Sequence, residues 1–241
     1  MNIAKKTVLI TGANRGIGRA LVEEALRRDA QRVYAGTRGP IEHSDRRVMS
    51  ITLDVTNAQQ IHRAASEIDS LDILINNAGI AMYDDLSNRE VIEQHLAVNL
   101  FGPLNVTQAF LPLLKRSRGA IVNNLSTSAV AALPIIPGYS ISKAAALSMT
   151  QSLRALLAGR GVTVHAILTG PVDTDMTRSV DFAKASPESV AAAIFDGLEN
   201  GEEEIFPDPM SQSIADGWRN GPAKTLERLS AGLVSERVAR Q

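Results

Sequence analysis

Thr7-Val8-Leu9-Ile10-Thr11-Gly12-Ala13-Asn14-Arg15-Gly16-Ile17-Gly18 is the stretch that decides the fold. A short apolar run passes straight into glycines spaced i, i+4 and i+6, and an amphipathic segment, Gly18 to Asp29, follows. Missing side chains let the backbone turn tightly and approach an anion, while the free N–H groups and dipole of a helix start favour negative charge. At a first strand-to-helix junction this pattern points to a bound pyrophosphate, with Gly12, Asn14, Arg15, Gly16, Ile17 and Gly18 around it. Three glycines at this spacing also arise by chance. In that case Gly12 caps a turn, and Gly16 or Gly18 eases helix packing.

Outward from the loop, β-branched apolar runs recur at Arg32-Ala35, Val48-Leu53, Asp72-Asn76, Ala120-Asn124, Val162-Leu168 and Glu204-Phe206. Helix-like stretches lie between them at Ala58-Ile68, Asn88-Lys115, Gly138-Ala158 and Pro187-Glu199. The alternation predicts an α/β fold: a doubly wound, Rossmann-type parallel sheet of about seven strands with helices on both faces. No internal repeat or linker-like tract interrupts it, so residues 1–241 read as a single domain. The tail, 207–241, reads as a loop followed by a peripheral helix over Ala223-Arg240, and the acidic run Glu202-Glu203-Glu204 as a solvated turn.

With 25 basic and 26 acidic side chains, the formal charge of -1 offers no long-range attraction for nucleic acid or an anionic membrane. The absence of cysteine excludes disulfides and thiolate chemistry and makes cytoplasm the default compartment. No export signal or membrane-spanning segment is expected. The four histidines are scattered without metal-ligand spacing, so no metal is assigned.

Further motifs carry chemistry. Asn76-Asn77-Ala78-Gly79 follows the fourth strand, Asn99 sits in Val98-Asn99-Leu100, and Ser126 stands 13 residues before Tyr139 in Tyr139-Ser140-Ile141-Ser142-Lys143. Together with the glycine loop, in this order and spacing and over nearly the whole chain, they resemble the short-chain dehydrogenase/reductase family. The resemblance implies a catalytic set of Asn99, Ser126, Tyr139 and Lys143. Within it, Lys143 also holds the nicotinamide ribose and Asn99 holds a water that relays protons to Lys143.

The residue chemistry agrees with that implication. If the chain is helical from Gly138, Tyr139 and Lys143 share a face one turn apart. An ammonium there favours phenolate and is expected to lower the tyrosine from its usual value of about 10 toward the range of an acid–base catalyst. Ser126 would hydrogen-bond the substrate oxygen as charge develops on it. Ser128 and Thr127 are alternative hydroxyls, and Asn99 could instead be a polar break in a buried helix. Asn77, Ala78 and Gly79 read as a turn lining the cofactor.

No carboxylate follows the second strand, where an NAD-preferring site places one. Arg38 stands there, and Arg15 precedes the second loop glycine. Two guanidiniums flanking the expected 2'-phosphate point to NADP(H), although each alone could be an ordinary surface arginine. Asp54-Val55 resembles the family's adenine contact. After the sixth strand Thr169-Gly170-Pro171 replaces the family's usual Pro-Gly, which weakens the expectation for Gly170, Val172 and Thr174 around the nicotinamide.

A carbonyl or alcohol substrate should enter beside Tyr139, between Ala129-Pro137, the loop after Gly79 and Val172-Ser186, and the apolar first wall suits an uncharged compound. The Ala- and Leu-rich helix from Tyr139 resembles the family's two-fold interface helix, implying a homodimer or homotetramer, with an Ala-exposing monomer as the alternative. An NADP(H)-dependent oxidoreductase is therefore expected, and a non-catalytic NADP(H)-sensing protein of the same fold is the other reading.

Overall fold

Residues 1–179, 181 and 183–239 are described by the computed structural model. Val180 and Phe182, within the expected substrate border, and Arg240, in the expected last helix, lie outside the described residues. The apolar runs become strands β1 (Thr7–Thr11), β2 (Arg32–Thr37), β3 (Val48–Thr52), β4 (Ile73–Asn76), β5 (Ala120–Asn124), β6 (Thr163–Ile167) and β7 (Glu204–Ile205). All pair in parallel in the order β3-β2-β1-β4-β5-β6-β7. The order reverses between β1 and β4, and ligands of such sheets bind at that switch point, beyond the carboxyl ends of the strands.

Eight α-helices are described: α1 (Gly16–Arg27), α2 (Ala58–Glu67), α3 (Arg89–Leu96), α4 (Gly102–Ser117), α5 (Pro137–Leu157), α6 (Pro187–Glu199), α7 (Pro209–Arg219) and α8 (Pro222–Ala239). Alternate strand residues feed two cores. Val8, Ile10 and Ile75 pack with Leu21 of α1 and Ile194 and Phe195 of α6. Leu9, Leu74 and Ile121 pack on the other face with Ile61 of α2 and Val106 and Phe110 of α4. The doubly wound sheet expected from the alternation is the fold.

Three local expectations are corrected. The helix expected over Asn88-Lys115 is α3, a π-helical turn at Ala97–Phe101, and α4. Asn99, at the centre of that turn, bonds both backbone groups of Ile80: its Oδ1 accepts from the N–H and its Nδ2 donates to the carbonyl, each at 2.9 Å. Such single π turns recur at functional sites because one extra residue re-aims a side chain.

The tail holds two helices where a loop and one helix were expected. Asp208 accepts from Ser211 N–H at 3.0 Å with Pro209 at the first helical position, a strong helix start that turns the expected loop into α7. The acidic run is solvated only in part, since Glu203 is exposed and Glu202 half-buried. Glu204 is buried, and Lys224 of α8 meets Glu203 at 2.7 Å and Glu204 at 2.9 Å, while Arg154 of α5 meets Glu204 at 2.9 Å. These pairs hold β7 and α8 against α5.

By length and mean hydropathy alone, the 29-residue run Arg89–Ser117 is apolar enough to cross a membrane, contrary to the expectation of no such segment. Its apolarity has a use within the fold, since Val106, Phe110 and Leu114 are fully buried against the sheet.

Candidate active site

The glycine loop leaves β1 with Gly12 at φ +67° and reaches α1 through Gly16 at φ +51°, both in the left-handed region that favours glycine. Gly18 serves packing: a Cβ there would stand 2.1 Å from the Gly12 carbonyl oxygen and 2.6 Å from Asn77 Nδ2. Arg15 precedes α1 in extended conformation and gives no side-chain cap, and no acidic residue lies in the first turn. By contrast α2, α3, α6 and α7 are capped by Asn57, Asn88, Ser186 and Asp208. The uncapped N–H groups of α1 therefore suit a phosphate. Asn14 and Arg15 are exposed beside them, and Ile17 is half-buried against the core.

A belt of polar side chains ties the strand ends together. Thr169 Oγ1 donates to Asn124 Oδ1 at 3.0 Å, and Asn124 Nδ2 donates to Asn77 Oδ1 at 2.9 Å. Asn77 Nδ2 donates to the Thr11 carbonyl at 3.0 Å and to that of Gly12 at 3.3 Å. Lys143 Nζ joins the belt by donating to the Asn124 carbonyl at 2.8 Å. The Asn77 side chain, expected to line the cofactor, is thus committed to holding the loop that would line it. Thr169, the departure from the family's proline, supplies a brace. Ala78 packs under Gly12, whose added Cβ would lie 2.9 Å from Ala78 Cα. A Cβ on Gly79 would stand 3.3 Å from Asn99 Oδ1 and 3.7 Å from Lys143 Nζ, so glycine keeps the approach to both open.

The four residues of the implied catalytic set come together from three elements. Asn99, buried in the π turn, donates to Ser142 Oγ at 3.0 Å, and Ser142 Oγ donates to the Tyr139 carbonyl at 2.7 Å, which links the turn to α5. Lys143 Nζ lies 5.6 Å from the centre of the Tyr139 ring. Ser126, just past the end of β5, lies near enough to the Tyr139 hydroxyl to favour its phenolate. Ser128 is buried and faces Ser126, to which its N–H and Oγ donate at 3.1 and 3.0 Å. Thr127 fastens the turn to β6 through its N–H and the Thr169 carbonyl, 3.0 Å apart.

One expected effect is reversed. Tyr139 is not lowered by Lys143: burial pushes it up to about 12, with the nearby Ser126 hydroxyl pulling the other way. Tyr139 is half-buried, and the protein atoms around it solvate a phenolate poorly. Lys143, buried without a carboxylate partner, is itself pushed down to about 8. Desolvation dominates the ammonium's attraction for phenolate here.

Asp84 and Asp208 were not singled out from the sequence. The Asp84 carboxylate accepts from Gly138 N–H at 3.1 and 3.2 Å and so caps α5 immediately before Tyr139, where Ile136 provides no cap. Asp84→Ala should lower stability by ~1 kcal/mol, the usual worth of a cap, seen as a fall of roughly 2–4 °C in thermal unfolding. An unchanged midpoint would remove Asp84 from the helix start. Asp208 Oδ2 accepts from Gly170 N–H at 2.7 Å, fixing the turn on the expected nicotinamide side. The Asp208-Pro209 pair could have disclosed this helix start in the sequence.

On the adenosine side, exposed Arg38 lies close enough to Asp54 to favour its carboxylate, which Thr56 holds from its N–H at 2.9 Å and from its hydroxyl. The Val55 side chain faces inward, packed where an added Gly102 Cβ would touch it at 2.8 Å, so only its backbone can serve a cofactor. Arg15 is held by Asp175 at 2.8 Å, in the open and screened by solvent. Thr174 lies over the loop: a Gly16 Cβ would meet its methyl at 3.0 Å, and Thr174 Oγ1 points to the Val172 carbonyl at 3.4 Å. Among the described residues, no group of three or more His, Asp or Glu side chains is placed to hold a metal ion.

Comparison with known proteins shows the family. The family model described as short chain dehydrogenase matches residues 6–184. Short-chain dehydrogenase PC-15 of Penicillium crustosum is 39% identical over 188 residues, covering 70% of this chain and 67% of its own length. Oxidoreductase UcpA of Salmonella typhimurium is 33% identical over 95% of this chain and 98% of its own. A crystal structure of a short chain dehydrogenase from Burkholderia cenocepacia in complex with NADP superposes with a TM-score of 0.87 at 40% identity, covering 95% of this chain and 98% of that one. The chain belongs to the short-chain dehydrogenase/reductase family.

Proposed function

We propose that this protein is an NADP(H)-dependent oxidoreductase that interconverts a carbonyl compound and an alcohol, with Tyr139 as the proton-transferring group. The observation that carries this reading is Tyr139 one helical turn from the buried Lys143, whose Nζ lies 5.6 Å from the centre of its ring, with Ser126 near its hydroxyl. A nicotinamide cofactor bound there would supply or accept the hydride. The residues do the rest. In carbonyl reduction Tyr139 donates its proton to the oxygen as it becomes an alkoxide, and Ser126 donates a hydrogen bond to the same oxygen. The high Tyr139 value keeps that proton in place at neutral pH, ready for donation in reduction. Lys143, charged below about 8, would hold ribose hydroxyls, and Asn99 would relay protons toward it.

The uncapped start of α1 would take the pyrophosphate, and Arg38 and Arg15 the 2'-phosphate, with Asp54, Val55, Ala78, Gly79, Gly170, Val172 and Thr174 along the remainder of the cofactor. The bound NADP of the Burkholderia relative supports this choice over NAD. Arg38→Asp should weaken NADPH about tenfold or more, the worth of a charge-assisted bond, and leave NADH nearly unchanged. Fluorescence titration with both cofactors checks it, and equal losses would defeat the assignment. The exposed Tyr83, Leu133, Ile135 and Met176 suit an uncharged, partly apolar ketone, aldehyde or secondary alcohol. Two-fold association is carried by the stripe Ile141, Ala144 and Ser148, exposed along α5 beside the equally exposed Phe101.

An NADPH-oxidation screen over aldehydes, ketones and ketoesters tests the whole reading. Tight NADPH binding without turnover across that panel would favour the sensing role instead.

A further inference from the structure

We infer that Ser128 is a positioning residue that makes Ser126 a one-way hydrogen-bond donor toward the reacting oxygen. This rests on the carbonyl–alcohol reading above and extends it to a residue that touches neither substrate nor cofactor.

A serine hydroxyl has one proton to give and two lone pairs that accept. Both acceptor positions of Ser126 Oγ are filled from Ser128, by its N–H at 3.1 Å and its Oγ at 3.0 Å. The first of these bonds is the side-chain cap of the short 3-10 turn Thr127–Ala129, so the backbone that leaves β5 sets the geometry. Ser128 is buried while Ser126 remains half-open, so the first supports and the second faces the site. With its lone pairs occupied, Ser126 can use only its proton, and the Tyr139 hydroxyl lies near it. That leaves the Tyr139 proton free to go outward to a substrate.

A carbonyl oxygen entering between the two then meets two donors and no competing acceptor. The accepted bonds also polarise the Ser126 O–H, so its donation strengthens as negative charge builds on the substrate oxygen. Without the Ser128 hydroxyl, one lone pair of Ser126 is open. Ser126 can then accept the Tyr139 proton, the wrong direction for reduction.

The test compares wild type, Ser128→Ala, Ser128→Thr, Ser126→Ala and the double alanine variant in NADPH-dependent reduction and in the reverse alcohol oxidation. Ser128→Ala should lower kcat roughly three- to tenfold, the effect of one neutral hydrogen bond, with NADPH affinity and thermal midpoint retained. Ser128→Thr, which keeps the hydroxyl, should recover most of the loss. In the Ser126→Ala background the Ser128 substitution should have no further effect on kcat, because Ser128 acts through Ser126. The basic form of Tyr139 is the one that works in alcohol oxidation, and weaker donation from Ser126 disfavours that form. The pH limb of oxidation should therefore move to higher pH in Ser128→Ala.

An equal loss in both backgrounds, or an unmoved pH limb, would show Ser128 to be merely structural and overturn the inference while the reductase reading stands. Wild-type turnover that is unaffected by Tyr139→Phe, or no wild-type turnover at all, would remove that reading and the inference with it.

Discussion

Tyr139→Phe should reduce carbonyl turnover by roughly 10³-fold, in the middle of the range for removal of a positioned general acid, which is ~4 kcal/mol of barrier. The substitution deletes one oxygen and leaves the ring packed edge-on against His95, 6.2 Å between centres, so cofactor affinity should be unchanged. The loss should therefore fall on kcat, with NADPH binding by fluorescence as the control. The pH profile separates the roles further. Burial holds the Tyr139 proton to about 12, so Tyr139 stays in its acid form throughout the working range. Lys143 loses its charge as pH rises through about 8, and in reduction the alkaline limb of the profile should belong to it. A phenylalanine variant within tenfold of wild type would place the proton donor elsewhere.

The reversal at Tyr139 marks where sequence reasoning reaches its limit. Spacing shows that an ammonium and a phenol are neighbours, and the structure keeps them so. Which charge effect dominates depends on how much water reaches each group, and that is a property of the packed site. The same division runs through the fold. Strand alternation and the glycine loop are local signals, and they placed the sheet correctly. The belt through Thr169, Asn124 and Asn77 joins residues 45 and 47 positions apart, so no local pattern announces it.

The π turn at Ala97–Phe101 was hidden for a related reason. Apolar periodicity continues across one inserted residue, and what re-aims Asn99 is its bonding to the backbone of Ile80, in a separate loop. Glu204 reads as solvated in an acidic run until α8 brings Lys224 back over it. Asp208-Pro209 is different in kind: the helix-start signal was present, but a proline pair on both sides of the aspartate made it look like a loop.

Gly18→Ala should abolish useful cofactor binding although residue 18 itself offers no side chain to a ligand. The added methyl carbon would sit 2.1 Å from the Gly12 carbonyl oxygen and 2.8 Å from its carbon, both backbone atoms that cannot rotate away. The alternative movement, of α1 away from the loop, would separate the uncapped N–H groups from the glycines that bring a phosphate to them. Losing two charge-assisted phosphate bonds at ~1.5–3 kcal/mol each weakens NADPH by roughly two to four orders of magnitude. Overpacking of this kind also costs ~1–3 kcal/mol of stability. The matched control is Gly217→Ala in α7, where a Cβ meets nothing within 4 Å. There the methyl group should stabilise the helix by ~0.5–1 kcal/mol and leave NADPH affinity untouched. Equilibrium unfolding and fluorescence titration of both variants decide the matter. If Gly18→Ala binds NADPH within tenfold of wild type, the loop tolerates displacement, and phosphate binding does not depend on the close approach of Gly12 to the start of α1.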